Sequence, residues 1–402
     1  MLMAMVKIVE TVKKTIAKML KQLRSWLADK RSFLFSRYTQ DSKETQEPEK
    51  SLVKLPVELR QKLTDAVENI SSSPAGEKAI GSTVDKAYDR WQEESDSGDN
   101  SVVVLSSPVA AVSRILSETL KEWTKERQIA LKILPLTARP YAIETIKSKL
   151  EHYLKHKSEP DGSDSKTSEV VVIPNLSWSF LRSMDGLEGI EYLQSILCDG
   201  SKDRFWIIGA GQVGWQYLNS VCEIEAYCGE TFSLPKIASE DLQEWLLPII
   251  EDLDIAFAKP RIDQQLLDRD KDNQANYFDR LAEISQGVST VAIQAFLKSI
   301  SYQKEEDELG KIVAETPKTP SLPNLEPAEQ YILYSLLLHG DLTVSALAKS
   351  LGDLESQVQA QVQVLRRKGI AEQKNRVIKI NPIYYPKIKQ ELASNNFIIN
   401  RE

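Results

Sequence analysis

The sequence has few of the residues that build disulfide frameworks and most metal sites. Its 402 residues include three cysteines and three histidines. Because Cys198, Cys222 and Cys228 form no Cys-x-x-Cys pair, the sequence favours a reduced, cytoplasmic protein without a disulfide framework. No apolar run approaches the ~20 residues that a membrane-spanning helix needs. No apolar block followed by a small-residue cleavage site indicates a secretory signal.

The histidines do not suggest a metal centre. His152 and His156 have the i, i+4 spacing of metal ligands on a helix, but no third ligand lies near them in the sequence. We therefore interpret both as surface residues. His339 stands at the end of a predicted helix, where a cation interacts favourably with the helix dipole. We expect neither a metal nor another cofactor.

The composition is that of an ordinary globular protein, with an uneven distribution of charge. Hydrophobic residues make up 42% and charged residues 27% of the chain, which excludes wholesale disorder. The net charge is −7, yet residues 1–37 contain nine basic and two acidic residues, so this segment carries +7 and the remainder −14. An acidic body argues against general coating of nucleic acid. The basic segment keeps an acidic surface as a candidate partner.

Residues 1–37 have the pattern of a basic amphipathic helix. Apolar residues recur at steps of three or four, from Met5 to Trp26. The basic residues lie largely between them: Lys7, Lys13, Lys14, Lys18, Lys21 and Arg24. Such a helix can pair with a partner helix, lie on an anionic membrane surface, or pack on its own protein. All three interpretations stay open, so the expected location is cytoplasmic or peripheral on a membrane.

Composition and periodicity divide the rest of the chain into segments. Short apolar runs alternate with helical stretches between residues 101 and 251, which is typical of a parallel sheet covered on both faces. The predicted segments are a basic amphipathic helix (1–37), a linker (38–55), a helical lead-in (56–100), an α/β core (101–251), a helical lid (252–302), a second linker (303–325) and a winged helix (326–402).

The core lacks the residues that bind Mg²⁺ and phosphates in a nucleoside triphosphatase. There, the first strand leads into Gly-x-x-x-x-Gly-Lys-Ser/Thr, whose backbone N–H groups and lysine hold the phosphates. Here residues 106–114 follow the run SVVVL without a glycine or a lysine, and Arg114 is their only cation. The run VVVI ends in Pro174-Asn175 in place of the carboxylates that hold Mg²⁺. A glycine pattern at residues 76–83 has Ser82 in place of the lysine and no strand before it.

A Gly-x-Gly-x-x-Gly pattern follows the apolar run at residues 205–208. Gly209, Gly211 and Gly214 have the spacing of a dinucleotide-binding fingerprint. That fingerprint normally opens its domain, whereas two or three strand-like runs precede this one. We favour a structural turn at the end of a strand, and a dinucleotide site is the alternative.

The order of these elements resembles the AAA+/STAND branch of P-loop ATPases, followed by a winged helix. SVVVLSSPVAAVSRIL stands at the Walker A position, VVVIPNLSWSF at Walker B and RFWIIGAGQVGWQYL at the sensor-1 strand. YFDRLAEISQGVSTVAIQAFLKSI is similar to the helical lid, but residues 287–292 contain no sensor-2 arginine. The resemblance implies a P-loop NTPase-like sheet with a helical lid, used as a pseudo-ATPase scaffold without catalytic residues.

The C-terminal segment has the order helix, helix, helix, β-ribbon, which is that of a winged helix-turn-helix. The predicted third helix, Glu355–Lys368, has an apolar face and a glutamine-rich face, and glutamine can read adenine edges. Basic residues cluster after it. The candidate contacts to DNA or to a partner are Gln359, Gln363, Arg366, Arg367, Lys374 and Arg376.

Three functions are compatible with these patterns. The leading hypothesis is a non-enzymatic scaffold or regulatory protein that docks protein partners through the winged helix and residues 1–37, with oligomerisation open. The second is a winged-helix transcription regulator that binds DNA. The third is a nucleotide- or dinucleotide-binding switch or enzyme that uses Gly209, Gly211 and Gly214.

Overall fold

The computed structural model describes most of the chain beyond its N-terminal segment. The described residues are 55–93, 100–135, 138–140, 142–155, 169–198, 204–258, 273–303 and 311–399. The predicted amphipathic helix, with Lys7, Lys13, Lys14, Lys18, Lys21, Arg24 and Trp26, lies outside them, as does His156. Residues 54–402 form one compact unit.

A five-stranded parallel sheet forms the centre of the core. Its strand order is β2-β3-β4-β1-β5, and every neighbouring pair is parallel. The strands are β1 (Ser101–Ser106), β2 (Leu131–Ile133), β3 (Glu169–Ile173), β4 (Arg204–Gly211) and β5 (Glu230–Ser233). The predicted α/β fold with a P-loop NTPase-like sheet is confirmed. From β1 the chain crosses to β2 at one edge of the sheet, and from β4 it crosses to β5 at the other edge. Parallel sheets bind ligands in the crevice at the carboxyl ends of two strands whose connections diverge in this way.

Helices cover both faces of this sheet because its central strands are apolar on both sides. On one face, Val102, Val104 and Ile207 pack against α2 and α3 through residues such as Ile80 and Leu116. The helices of the core are α1 (Val57–Asn69), α2 (Pro74–Glu93), α3 (Val112–Arg127), α4 (Thr145–Lys155), α5 (Glu188–Cys198), α6 (Gln212–Cys222) and α7 (Ser239–Asp252). The glycine pattern at residues 76–83 thus lies inside α2, within the predicted helical lead-in.

The lid contains strands as well as helices. Between α7 and the C-terminal segment lie β6 (Ala256–Phe257), α8 (Asn273–Ser285), α9 (Ser289–Ser299), β7 (Ile300–Gln303) and β8 (Lys311–Ala314). The three strands form a small sheet in the order β6-β8-β7. Strand β8 lies in the stretch predicted as a linker, where the buried residues Ile312 and Val313 follow a charged run.

The C-terminal module, residues 326–399, contains the predicted helices and a small antiparallel sheet. Its elements are α10 (Pro327–His339), β9 (Leu342–Thr343), α11 (Val344–Leu351), α12 (Glu355–Arg367), β10 (Ala371–Lys374), β11 (Val377–Ile380) and α13 (Tyr385–Ser394). The sheet order is β10-β11-β9. The turn between β10 and β11 has positive φ at Asn375 and Arg376, as a two-residue hairpin of the type I′ kind requires.

The C-terminal part of helix α10 is buried on all sides. Every residue from Ile332 to His339 is buried. A helix that is apolar all round fits the interior of a protein and not its surface. Because α10 contacts α11 and α12 on one side and α6 and β4 on the other, the module is packed onto the core. Among the described residues, no helix combines the length and apolarity that crossing a bilayer requires.

Candidate functional site

The loop between β1 and α3 follows the first strand, as a phosphate-binding loop does, but the cation next to it in the sequence is engaged elsewhere. Arg114, the candidate cation, points to the end of α1. Its Nε donates to Glu118 Oε1 at 2.7 Å, and its Nη1 and Nη2 donate to the carbonyls of Glu68 and Ile70. Arg114 therefore ties α1 to α3. Ala111, the N-cap of α3, provides no side-chain cap for the first backbone N–H groups.

The end of β3 is also occupied by internal contacts. Asn175 Oδ1 accepts a hydrogen bond from the Ser177 N–H at 3.0 Å, which caps the short 3-10 turn Leu176–Ser179. This side chain stands where the resemblance would place a Mg²⁺-binding carboxylate. The Asn175 side-chain amide carries no charge, and its one oxygen already accepts a hydrogen bond within the turn.

Two of the three glycines of the Gly-x-Gly-x-x-Gly pattern, Gly209 and Gly214, have steric roles. Gly209 and Gly211 belong to β4 itself, and α6 begins directly after Gly211. A Cβ on Gly209 would lie 2.5 Å from the Pro174 carbonyl oxygen, and one on Gly214 would lie 2.5 Å from the Leu338 carbonyl oxygen. The N-terminal turn of α6, where a pyrophosphate would bind in a dinucleotide fold, is thus in close contact with the end of α10.

A cluster of buried polar groups joins the end of α10 to the core. The His339 side chain is fully buried, its ring centroid lies 4.7 Å from that of Phe180, and its Nε2 accepts a hydrogen bond from the Arg182 N–H at 3.3 Å. Arg182 Nη2 donates to the Ser350 carbonyl of α11 at 2.9 Å. Arg139 donates to the carbonyls of Phe180 and His339. These contacts hold the module against the loop that follows β3.

Burial determines the charges in this cluster. Desolvation, and then the positive charges of Arg139 and Arg182, hold the pKa of His339 well below its ordinary value. Desolvation lowers the pKa of Arg139 to about 10, and Asp341 partly opposes that shift. His339 is therefore neutral at pH 7. The expectation of a protonated histidine that stabilises the helix dipole was wrong, because the packed module removes the ring from water.

A cleft of about 370 Å³ remains at the carboxyl edge of the sheet. It lies between the β1–α3 loop, the end of β5, the turn between α8 and α9, and α13. Two lysines line it, and none of its lining residues is acidic. The polar side chains facing it belong to Ser73, Ser107, Gln212, Ser233, Lys236, Gln286, Ser289, Tyr385 and Lys389. Within the described residues, its chemistry suits a small polar or anionic molecule.

The sequence did not predict this cleft, because its two lysines lie in segments without a recognisable motif. Lys236 follows β5 and Lys389 lies in α13, a helix that the sequence analysis did not predict. The only sequence signal was the pair of apolar N-cap residues, Ala111 before α3 and Val288 before α9. Neither provides a side-chain cap, so both helix ends keep unsatisfied donors.

The outer surface of α12 is the second candidate site. Val358, Val362 and Leu365 face the interior, while Ala360, Arg366 and Arg367 are exposed. Gln359 and Gln363 are partly exposed, and Arg366 Nη1 donates to Gln363 Oε1 at 3.3 Å.

The β10–β11 hairpin adds basic side chains to the module surface. Lys374 and Arg376 are exposed at its tip. Lys368, directly after α12, pairs with the buried Glu329 at 2.7 Å between Nζ and Oε1, and Lys379 Nζ lies 3.6 Å from Asp341 Oδ2. The structure therefore reduces the net positive charge that the module offers to phosphates.

Comparison with known proteins gives no close relative. No family model and no curated protein matches the sequence. The solved structures that match it include Cdc6p from Pyrobaculum aerophilum, at 12% sequence identity and a TM-score of 0.34, over 82% of this chain and 98% of that one. They also include the ORC2 protein from Aeropyrum pernix in ADPNP–ADP complexes, at 14% identity and a TM-score of 0.34, over 79% of this chain and 92% of that one. A point variant of RuvB from Thermotoga maritima matches at 14% identity and a TM-score of 0.31, over 76% of this chain and 93% of that one. Likeness at this level carries no argument about site residues.

Proposed function

We propose that this chain is a non-enzymatic scaffold, a pseudo-ATPase with an AAA+-like core whose C-terminal module acts as a winged helix that docks protein partners. The observation that carries the proposal is the close packing of α10 against α6, with the Leu338 carbonyl directly over Gly214. The module thereby covers the N-terminal turn of α6 at the carboxyl edge of the sheet, leaves the cleft near Lys236 and Lys389 open, and presents α12 to the outside.

The polar residues of that edge support the absence of catalysis. Arg114 and Asn175 are engaged in the protein's own contacts. Gln212, at the start of α6, donates to Ser233 Oγ at 3.3 Å. Hydrolysis of a phosphoanhydride needs a metal ion, a positioned water and a cation on the leaving group. The side chains at the ends of β1, β3 and β4 that would serve these roles hold the fold together instead.

The charge pattern of α12 favours a protein partner over DNA. A recognition helix contacts base edges mainly through its N-terminal residues. Here Asp353 and Glu355 are exposed at that end and would repel phosphates, and the neighbouring Leu354 side chain is 66% exposed. An exposed leucine between two carboxylates suits the surface of another protein.

Absence of nucleotide binding is tested by thermal unfolding with Mg²⁺ and, in turn, ATP, ADP, NAD or NADH. A ligand at a hundred times its dissociation constant adds about 2.7 kcal/mol to the free energy of unfolding. We expect no shift and no phosphate release. A shift with ATP would contradict the pseudo-ATPase proposal and would assign the cleft near Lys236 and Lys389 to a nucleotide. A shift with NAD would favour the dinucleotide alternative at Gly209, Gly211 and Gly214.

The docking role is tested with a photo-crosslinking amino acid at Val364, which is 40% exposed on α12. The matched control carries the same amino acid at Val221, which is 50% exposed on α6. In cells, we expect discrete protein adducts at position 364 that are absent at position 221. No adduct at 364, or equal adducts at both positions, would contradict docking through α12.

A DNA-binding transcription regulator is the alternative use of the same surface. It would place Gln359 and Gln363 in the major groove, with Arg366, Arg367, Lys374 and Arg376 on phosphates. Each substitution that removes one of these phosphate contacts then lowers the salt slope of binding by about one. A gel shift whose salt slope falls for Arg366→Ala and Arg376→Ala would replace the protein-docking proposal with this one.

The proposed second docking element is the basic segment at residues 1–37, on a protein partner or an anionic membrane surface. Its support is its sequence pattern alone. Sedimentation with anionic liposomes, or recovery of the crosslinked partner, should fall when residues 1–37 are deleted. Unchanged sedimentation and unchanged recovery would exclude this element from docking.

A further inference from the structure

The exposed face of α12 is nearly symmetric about Ala360. Ser356 and Val364 lie four residues to either side of Ala360, and Gln357 and Gln363 lie three to either side. These five positions form one stripe, since residues three and four apart share a helix face. Ala360 is exposed at its centre, and its small side chain allows a second helix to approach closely.

The charges at the two ends of the stripe are opposite, and they stand at equal separations from Ala360 in the sequence. Asp353 lies seven residues before Ala360, in the turn that precedes α12, and Arg367 lies seven residues after it. Both side chains are exposed. The helix dipole accounts for an acidic residue at one end and a basic residue at the other. The helix dipole does not explain why the stripe between these two charges is apolar or neutral, or why a small residue lies at its centre.

A surface with this symmetry is complementary to itself when two copies are antiparallel. A two-fold axis through Ala360 would bring the end of α12 that follows Asp353 beside the end that carries Arg367, twice. The same operation would place Gln357 opposite Gln363, where two amides can exchange hydrogen bonds, and Val364 opposite Ser356. Antiparallel helix dipoles also attract each other. A duplex of DNA offers no such complement to Asp353.

We propose that α12 docks a second copy of this chain, as an antiparallel helix pair with its two-fold axis at Ala360. The inference rests on the proposed docking role of α12 and names its partner. A single helix pair is a small interface, so the dimer is expected to be weak and to form at high protein concentration. Salt should weaken it further, because the Debye length falls to about 3 Å at 1 M.

Disulfide trapping tests the position of the axis in the full-length chain with the exposed Cys198 replaced by serine. Ala360→Cys should form a covalent dimer under mild oxidation. Gln357→Cys alone should not, because two such residues lie about 9 Å apart along the antiparallel pair, at 1.5 Å per residue, beyond the reach of a disulfide. An equal mixture of Gln357→Cys and Gln363→Cys should crosslink. Crosslinking of Gln357→Cys with itself, or none for Ala360→Cys, would overturn the proposal.

Charge reversal tests the ends of the stripe by sedimentation equilibrium. Asp353→Arg and Arg367→Asp should each weaken the dimer by roughly tenfold, because each variant breaks two exposed ion pairs. The double variant should recover the association of the unmodified chain. Lys62→Asp, an exposed charge reversal on α1, is the control and should change nothing. A chain that stays monomeric at all concentrations, or a double variant weaker than either single one, would overturn the proposal.

These outcomes are distinguishable from failure of the docking role itself. If crosslinking at Val364 yields a different protein while the chain remains monomeric, α12 docks a partner but not a second copy. If the adduct at Val364 has twice the mass of the chain, both the docking role and the second copy are supported. If no adduct forms and the chain is monomeric, both are contradicted.

Discussion

Helices α10 and α12 are equally long and belong to the same module, yet their surroundings are opposite. Both contain 13 residues. From Ile332 to His339, α10 is buried on every side between the module and the core, whereas α12 buries one stripe and exposes the other. The comparison shows that two helices of one small module can have different roles. Helix α10 anchors the module to the core, and α12 exposes one face to solvent. In this protein, the anchoring helix also covers the N-terminal turn of α6 at the carboxyl edge of the sheet.

The largest expected effect comes from truncating a core residue of α10. Leu333 is fully buried, so Leu333→Ala should destabilise the protein by about 2–5 kcal/mol through lost burial and the cavity left behind. The matched change on α12, Val364→Ala, should cost less than about 0.5 kcal/mol because that side chain is exposed. Urea unfolding measures both. Equal costs would show that α10 is not an anchor.

The contact between α10 and α6 is tested by Gly214→Ala. The added methyl would lie 2.5 Å from the Leu338 carbonyl oxygen, which must move. We expect a loss of about 1–3 kcal/mol. Gly81→Ala, inside α2 with its nearest neighbour 3.9 Å away, is the control and should gain about 0.5–1 kcal/mol from helix propensity. A neutral or stabilising Gly214→Ala in thermal unfolding would mean that α10 does not pack there.

A buried ion pair links the two helices. Glu329 of α10 is 4% exposed, and its carboxylate accepts hydrogen bonds from Lys368 Nζ, at 2.7 and 2.9 Å, and from the Glu326 N–H at 2.9 Å. Lys368→Ala leaves this carboxylate without its cation and should cost about 1–3 kcal/mol. Lys374→Ala, on the exposed hairpin, should be close to neutral. Equal urea midpoints for these two variants would show that the pair contributes nothing.

The smallest expected effect is a dependence of stability on pH at the end of α10. Burial lowers the pKa of His339 in the folded state, so the unfolded chain binds the extra proton. Stability should therefore fall as the pH drops below about 6.5, the ordinary pKa of histidine, by up to about 1.4 kcal/mol for each unit. His339→Leu should remove this component between pH 5 and 6.5, and His152→Leu should leave it. An identical pH profile for the unmodified chain and His339→Leu would contradict a neutral, buried His339.

Local signals predicted much of the module. Glycines and N-cap residues mark the ends of its helices. Gly340 follows α10, and Gly352 ends α11 in the left-handed region. Thr343 Oγ1 accepts a hydrogen bond from the Ala346 N–H and caps the start of α11. The apolar runs likewise indicated β1, β3 and β4, because strands of a parallel sheet buried on both faces read as continuous apolar stretches.

Long-range packing set the features that the sequence did not predict. Helix α13 begins with Tyr385-Pro386, which gave no periodic signal, and Lys389 reaches the cleft only because this helix packs beside the core. The lid strands are short and depend on one another for pairing. The pattern of α10 resembled an ordinary core helix, and only the tertiary structure shows that two layers cover it.

The most direct test of the anchoring claim is native-state hydrogen exchange of the backbone amides from Ile332 to Leu338. If α10 is packed between module and core, these amides should exchange only through global unfolding, with the same free energy as the amides of β4 at the centre of the sheet. Exchange of α10 at a much lower free energy, while β4 stays protected, would mean that the module opens separately. The N-terminal turn of α6 would then be uncovered whenever the module opens, contrary to the proposed function.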